Sequence, residues 1–522
     1  MLPKHVQPRR FTCKIFLQTA CVLAAALTPM GGFAQAAPAS PLGGAYDVRA
    51  FGAAGDGVAE DTAAIERAID AAASAGGGTV RFPAGTYLSG TLHLKSNITL
   101  DLGSGATLLA ADPKKAKYDD PEPGAGNKYQ DFGHCHWRNS LIYGENLDNV
   151  SIIGSGQIWG KGLVRGDEDV AGSGNKAISL KLCRNVTLRD FTIRHGGWFG
   201  ILATGVDNLT IDNLRIDTNR DGMDIDCCRN VRVSNCGVNS PEDDGICLKS
   251  TYGLGFARSC EDVTITNCQV SAFKEGSYLD GTNQPLSSGS RNGRIKFGTE
   301  SNGGFKNITI SNCVFDHCLG LALESVDGAL LEDVSISNIT MRDVVSAPIY
   351  IRLGRRMRGP SGVPVGAIRR VSISDVTIYN ADPDSCAIVT GIPGHPVEDL
   401  TLSNIRIWYK GGGTKENAAV TPPEKETDYP DPRNFGMTPA YGFFLRHVKS
   451  LDLDRIQTHT LADDQRPPFV LEDADDIDFE RVKAQHAAGV PLFVLHGVTH
   501  MRTRMTDGAK DAASINVKEG RL

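Results

Sequence analysis

One phrase recurs along this chain and limits its fold more than any other feature. Asn or Asp is followed by an aliphatic residue, Thr or Ser, a second aliphatic residue, two polar residues and a further aliphatic alternation. It reads Asn185-Val-Thr-Leu-Arg-Asp-Phe-Thr-Ile, Asn208-Leu-Thr-Ile-Asp-Asn-Leu-Arg-Ile and Asn230-Val-Arg-Val-Ser-Asn-Cys-Gly-Val. It returns at Asp262, Asn307, Asp333, Val371 and Asp399, is shortened at Leu451 and Ile477, and has earlier copies at Asn97 and Asn149. Starts at 185, 208 and 230 lie 23 and 22 residues apart. Two-residue alternation inside such a period means short strands and turns, one solenoid coil per repeat. The expected fold is all-β, a parallel β-helix whose coils stack about 4.8 Å apart with equivalent residues above one another. That register puts Asn235-Cys236, Asn267-Cys268 and Asn312-Cys313 in one ladder with the cysteines inward. It also makes the sequons at Asn97, Asn185, Asn208, Asn307 and Asn338 rung residues before glycan acceptors.

The two ends differ from this middle. Residues 1–36 read as a signal peptide: Lys4, Arg9, Arg10 and Lys14 precede an apolar run from Ile15 to Leu27, and Ala34-Gln35-Ala36 fits a cleavage site. The run is too short to span a membrane. A secreted or periplasmic chain with cleavage near Ala36 is expected, leaving 37–522 as one β-helix domain with an N-terminal cap over about 46–80. Within the cap, Asp61 is expected to N-cap a helix with apolar residues at i, i+3 and i+4, stopped by Gly76-Gly77-Gly78. This helix would cover the open end of the solenoid. Gly52 to Gly57 lacks the ending of a phosphate loop. Of the 13 cysteines, Cys13 and Cys21 leave with the signal; the remaining 11 guarantee at least one free thiol and no disulfide framework. A net charge of -7 excludes a nucleic-acid footprint.

Carboxyl groups concentrate on two consecutive coils. The first carries Asn219-Arg220-Asp221-Gly222-Met223-Asp224-Ile225-Asp226, the second Ser240-Pro241-Glu242-Asp243-Asp244-Gly245. Asp221 and Asp243 are 22 residues apart, so Asp221, Asp243 and Asp244 should share a face of adjacent rungs. Like charges held so close push one pKa up and leave another group ionised, the division of labour that glycosidic hydrolysis requires. Taken singly, Asp224, Asp226 and Glu242 read as an acidic turn, solvated or calcium-binding.

Asn219-x-Asp221-Gly-x-Asp224 followed one coil later by Asp243-Asp244 resembles glycoside hydrolase family 28, the polygalacturonases and their relatives. The opening Val48-x-x-Phe51-Gly-Ala-x-Gly55-Asp-Gly57 with Asp61-Thr62-x-x-Ile65 is also found there and in other pectin-active β-helices. The resemblance spans most of the chain from Tyr46 and implies a right-handed β-helix. It further implies a metal-free, cofactor-free hydrolase acting with inversion, with Asp243 as general acid and Asp221 and Asp244 activating water. Two features depart from the family. Its Gly-His-Gly turn is absent from Arg291–Ser301, and its Arg-Ile-Lys is replaced by Leu321-Ala322-Leu323-Glu324-Ser325, while Arg294-Ile295-Lys296 spells the tripeptide one coil early. Asn219, Arg294, Lys296, Glu300, Glu324 and Trp198 are the candidate substrate contacts, Arg294 and Lys296 for a substrate carboxylate, or else a solvated strand face. Trp198 could stack on a sugar or pack a corner; His134 and His136 read as loop or cap residues. Loops 273–292 and 410–439 are expected to wall the groove. The expected partner is a pectic polysaccharide or oligosaccharide, with no nucleic acid, no membrane and a monomeric chain. The alternatives are a calcium-dependent pectate-type lyase using Arg294 or Lys296 as base, and a non-catalytic glycan-binding β-helix.

Overall fold

The computed structural model describes residues 44–123, 128–166, 172–289 and 291–522. The expected signal segment, 1–36, lies outside them. Strands from Ala45–Asp47 to Phe493–Arg504 pair in parallel, each with its counterpart one coil away, in a single continuous sheet. The expected parallel β-helix is therefore what the chain forms. Along each strand the burial alternates as the repeat requires: in Asp207–Asp212, Leu209 and Ile211 point into the coil while Asn208 and Thr210 face out. Among the described residues no helix is long and apolar enough to cross a membrane.

The Asn that opens each phrase has a conformational reason to be there. Asn97, Asn149, Asn185 and Asn208 all sit in the left-handed region, with φ of 64, 58, 57 and 55°. This is the corner conformation that Asn tolerates better than residues with larger or branched side chains. Their amides then bond up the stack, Asn149 Nδ2 to Asn97 Oδ1 at 2.8 Å, Asn185 to Asn149 at 3.0 Å and Asn208 to Asn185 at 2.9 Å. Cys236, Cys268 and Cys313 follow Asn corners and point inward, each 1% exposed, as the register predicts. The eleven cysteines of the described residues are all free and buried.

Each end of the stack carries an added element, a helix at the start and an antiparallel strand at the far end. At the start, helix α1 (Thr62–Ser74) buries Ala64, Ile65, Ala68, Ile69 and Ala72 over the first coil, the expected cap. Asp61 departs from its expected role. Its side chain makes no bond to the helix and instead accepts from the amides of Ala54 (2.6 Å) and Gly55 (3.1 Å), tying down the preceding glycine turn. At the far end Ala512–Arg521 folds back antiparallel on Phe493–Arg504.

The corner ladder makes a measurable prediction. Asn208→Ala should cost about 2 kcal/mol, the left-handed strain of about 1 kcal/mol plus one lost hydrogen bond worth about 1 kcal/mol. Asn208→Gly should cost about half as much, because it loses only the bond. Denaturant unfolding of the two variants checks this; equal losses would remove the backbone from the explanation.

Candidate active site

Four strands carry the acidic region, and their register places its side chains: β1 (Phe199–Thr204), β2 (Asp221–Asp226), β3 (Ile246–Ser250) and β4 (Ile295–Ser301). Phe199 pairs with Asp221, and one column runs Leu202, Asp224, Cys247, Lys296 through successive coils. The alternate residues Met223, Ile225, Ile246, Leu248, Ile295 and Phe297 enter the core, so this column faces away from it. Yet the column is buried, because segment 129–138 and the loop between Tyr409 and Phe443 lie over it.

Asp221, Asp243 and Asp244 come together as expected: one oxygen from each lies within 4.8 Å of the others. Cations are interleaved among them. Arg220 Nη2 is 2.8 Å from Asp243 Oδ2, and its guanidinium lies 4.4 Å over the Trp198 ring. Arg294 Nε donates to Asp244 Oδ1 at 2.9 Å, and Lys296 Nζ is 3.2 Å from Asp244 Oδ2. One coil further, Glu324 lies 3.7 Å from both of these cations. Tyr429, carried in by the long loop, meets Lys296 Nζ through its hydroxyl at 3.1 Å.

The three acids are driven apart electrostatically. Burial is the largest influence on each. It raises Asp221 well above the usual carboxyl range, with the Asp224 and Asp243 charges adding to it. It raises Asp243 too, with Asp244 adding and Arg220 and Lys296 opposing. For Asp244 the same burial is overcome by Lys296, Arg294 and Lys249, which bring it to about 2. Glu324 is raised by burial despite Lys296 and Arg294. Lys296 is held well above its ordinary value, because Asp244 and Glu324 outweigh its burial.

Several expected contacts take other roles here. Arg294 and Lys296 are no solvated strand face: they are 6% and 2% exposed and their charge is spent on Asp244 and Glu324. Glu300 is removed from the acid trio into a second buried chain. Burial opposes its ionisation, but Lys249 (3.1 Å), His134 and Arg356 (3.5 Å) hold it well below the usual range. Trp198 gives one ring face to Arg220 rather than leaving it open. Asn219 donates to Glu242 Oε2 at 3.1 Å, while its own Oδ1 is buried without a partner. His134, read from sequence as a loop residue, is on a loop but bonds Asp224 Oδ2 through Nε2 at 3.1 Å. Arg220, Lys249 and Tyr429 were not singled out by the sequence. Arg220 lies inside the Asn219-x-Asp221 motif and Lys249 at an alternating position of β3, but Tyr429 has no periodic signal at all.

Asp221, Asp243 and Asp244 have the spacing of a cation site, and the charge balance opposes that use. Asp243 is already paired with Arg220, and Asp244 with both Arg294 and Lys296, so a divalent ion would meet three cations. Lys296 and Arg294 are also poor bases for a lyase, since both are held protonated, Arg294 because Asp244 and Glu324 outweigh its burial.

Comparison with known proteins agrees with the β-helix fold. Residues 45–132 match a family model described as rhamnogalacturonase A/epimerase, pectate lyase-like, and residues 128–286 one described as right handed beta helix region. The chain is 24% identical over 383 residues to a protein of Vitis vinifera named "Probable polygalacturonase", covering 68% of this chain and 73% of that one. It is 34% identical over 194 residues to mannuronan C5-epimerase AlgE5 of Azotobacter vinelandii, a stretch covering 34% of this chain but only 17% of the epimerase. In fold it is similar to the exopolygalacturonase of Thermotoga maritima, with a TM-score of 0.54 at 21% identity over 70% of this chain and 87% of that one.

The ion cluster generates a pH-dependent prediction. Lys296→Met strands Asp244 and Glu324 beside one another with only Arg294 between them, and should cost about 3–5 kcal/mol at pH 7. The cost should shrink as the pH falls and the stranded carboxyls take up protons. In the unaltered protein the sign runs the same way for Asp244: its depressed pKa stabilises the fold fully above its ordinary value of 3.8, and that share is lost as pH drops through about 2. Denaturant midpoints at pH 7 and pH 4 test the first, where a cost independent of pH would mean that Lys296 acts through packing, and midpoints of the unaltered protein between pH 4 and pH 2 test the second.

Proposed function

We propose, from the premise that the chain is polygalacturonase-like in sequence and a right-handed parallel β-helix in fold, that it hydrolyses glycosidic bonds of a pectin-type, galacturonate-containing glycan. The observation that carries this reading is the meeting of Asp221, Asp243 and Asp244 on adjacent coils with unequal cation partners, Arg220 on Asp243 but Arg294 and Lys296 on Asp244, which leaves Asp243 displaced upward and Asp244 downward. Asp243, whose side chain is 24% exposed, can reach a bound glycan and keeps a proton for the leaving oxygen. Asp221 and Asp244 flank the place for water. Asp221, with its raised pKa, is the better proton acceptor once ionised, and Asp244 supplies a fixed negative charge that orients the water and stabilises the positive charge developing on the sugar.

Arg220 tunes the acid. It holds Asp243 in place and pulls its pKa down against burial, while Trp198 supports the guanidinium from behind. Inversion at the anomeric carbon, removal of a leader near Ala36 and export complete the proposal. Inversion is what the resemblance to the polygalacturonase family implies, with water delivered by Asp221 and Asp244 attacking the face opposite the leaving group that Asp243 protonates. The oxygens here are closer than the roughly 6.5–9.5 Å usual between inverting carboxyls, so the anomer of the first product is worth reading directly by proton magnetic resonance.

Asp243→Asn should lower kcat by about 10²–10⁴ while KM changes little. Products from homogalacturonan or rhamnogalacturonan should carry one added water by mass spectrometry and should form equally well in the presence of a chelator. Products lacking that water, or loss of activity with chelator, would replace this reading with a metal-dependent lyase. Activity should decline as pH rises through the raised pKa of Asp243. Arg220→Gln should move that limb of the kcat profile to higher pH, a shift that a purely structural arginine would not produce.

A further inference from the structure

Five residues after the Asn or Asp that opens each phrase, the chain turns a second corner, and this one too is built for asparagine. From Asn213 to Asn404 it is held by Asn, or once by Asp375, at φ of 50 to 57°. Amides bond up this stack as well, Asn338 Nδ2 to Asn312 Oδ1 and Asn404 Nδ2 to Asp375 Oδ1, both at 2.6 Å. The last three coils abandon the pattern. The corner passes to Arg455, Arg481 and Met505, still left-handed at 52, 56 and 50°. Long side chains are more strained there than Asn, and the amide ladder stops at Asn404. Arg370, an arginine at a first corner, offsets the same strain with bonds to both Glu332 and Asp333 of the coil before. Arg455 and Arg481 have less: they share one carboxylate, Asp454, at 2.8 and 2.6 Å, with Glu480 a further 3.8 Å from Arg481. Both remain exposed, at 51% and 43%.

The surroundings of these two corners are positive. Arg406, Gln457 and Lys483 form one outward column on the strand that follows the corner. Arg406 and Lys483 stand two coils apart, about 9.6 Å. Both are exposed, and among the described residues neither has a carboxylate within ion-pair distance. With Arg455 and Arg481 they line a cavity of about 590 Å³ between these coils and the loop 505–511, which Asp511 pins by accepting from the Met505 amide at 2.8 Å. Asp507 and Asp511 line the cavity too, without pairing with any of the four cations. Two like charges stacked one coil apart repel, so the site gains from an anion. Next to the cation column, on the same outward face, run Tyr379, Trp408 and His459, the last two stacked at 5.0 Å.

These features select an acidic polysaccharide. Guanidinium groups take carboxylates through paired hydrogen bonds. A polymer with repeated carboxylates meets Arg406 and Lys483 at once, where a single small anion reaches only one of them. The stacked rings give an apolar shoulder for the C–H faces of sugars. The net charge of -7 works against polyanions over the rest of the surface, so the attraction is local to this groove. The groove is also remote from the acids. Register steps run from Asn239, four residues before Asp243, through Ser271, Asp316, Arg342 and Tyr379 to Trp408, beside Arg406. Five coils separate them, about 24 Å along the stack.

We infer that this groove is a second glycan-binding site, which holds a polyuronate chain by its carboxylates and keeps the protein on the polymer between cleavages. The choice of a polyuronate rests on the hydrolytic reading above; the binding itself does not. The test pairs the chain with its Arg406→Gln, Lys483→Gln double variant. Both are first run in the Asp243→Asn background through native gels containing polygalacturonate or fully methyl-esterified pectin, so that the polymer is not consumed. The double variant should bind polygalacturonate about tenfold more weakly, the loss of two surface ion pairs, and the esterified polymer should retard neither protein. With Asp243 intact, the double variant should hydrolyse short oligogalacturonates unchanged while its kcat/KM on the polymer falls by the same factor. Equal retardation of the two proteins by polygalacturonate, retardation by the esterified polymer, or an equal fall in kcat/KM on short and long substrates would overturn the groove and leave the hydrolase standing. Weaker retardation of the double variant, with no hydrolysis of either substrate by the unaltered protein, would keep the groove and overturn the hydrolase.

Discussion

The whole molecule depends on one repeated distance, the roughly 4.8 Å between stacked coils. Whatever a residue is, its counterpart a coil away will sit on top of it. For neutral, self-complementary side chains this is favourable, and the chain uses it freely: asparagine amides bond to asparagine carbonyls up the corners, and aliphatic residues stack inside. For carboxyl groups the same distance is costly, because like charges meet in a poorly solvated place. The active region is where the chain accepts that cost, and Arg220, Arg294, Lys296 and Lys249 are the compensation.

That compensation has an unequal outcome, which is its chemical value. Burial raises both, and the cations decide: Asp243 has one arginine and stays high, while Asp244 has an arginine and a lysine and is brought low. Adjacent residues of one turn thus sit in two electrostatic environments, separated by which coil supplies the cation. Arg220 comes from the coil before, Arg294 and Lys296 from the coil after. The tripeptide Arg294-Ile295-Lys296 therefore acts first on the protein's own carboxyls. Glu324 closes the other side of the same cluster.

What the sequence made legible was whatever repeats. The coil period located the β-helix, the inward cysteines, the corner asparagines and the meeting of Asp221 with Asp243, because each is a statement about register. The parts it did not show come from outside the register. His134 reaches Asp224 across 90 residues and Tyr429 reaches Lys296 across 133, each from an aperiodic loop. Glu300 was misplaced for a related reason: the pairing of β3 with β4 shifts between Leu248 and Ser250, so counting along the strand does not give its true neighbours, Lys249 and Arg356. Asp61 shows the local version of the same limit, since a residue at a helix start has two sets of amides within reach and composition does not choose between them.

The eleven cysteines of the described residues, all reduced and all enclosed, carry a consequence for how this molecule comes into being. Many exported proteins cannot finish maturing until thiols have been joined in the right pairs, so their quality control is tied to an oxidising compartment. Among the described residues of this chain no step of assembly waits on such a pairing. Its order is propagated instead from one turn of the coil to the next, each new turn using the last as its template. The sulfur atoms serve as filling, most of them inside the winding and others, such as Cys135 and Cys247, beneath the segments laid over its outer face.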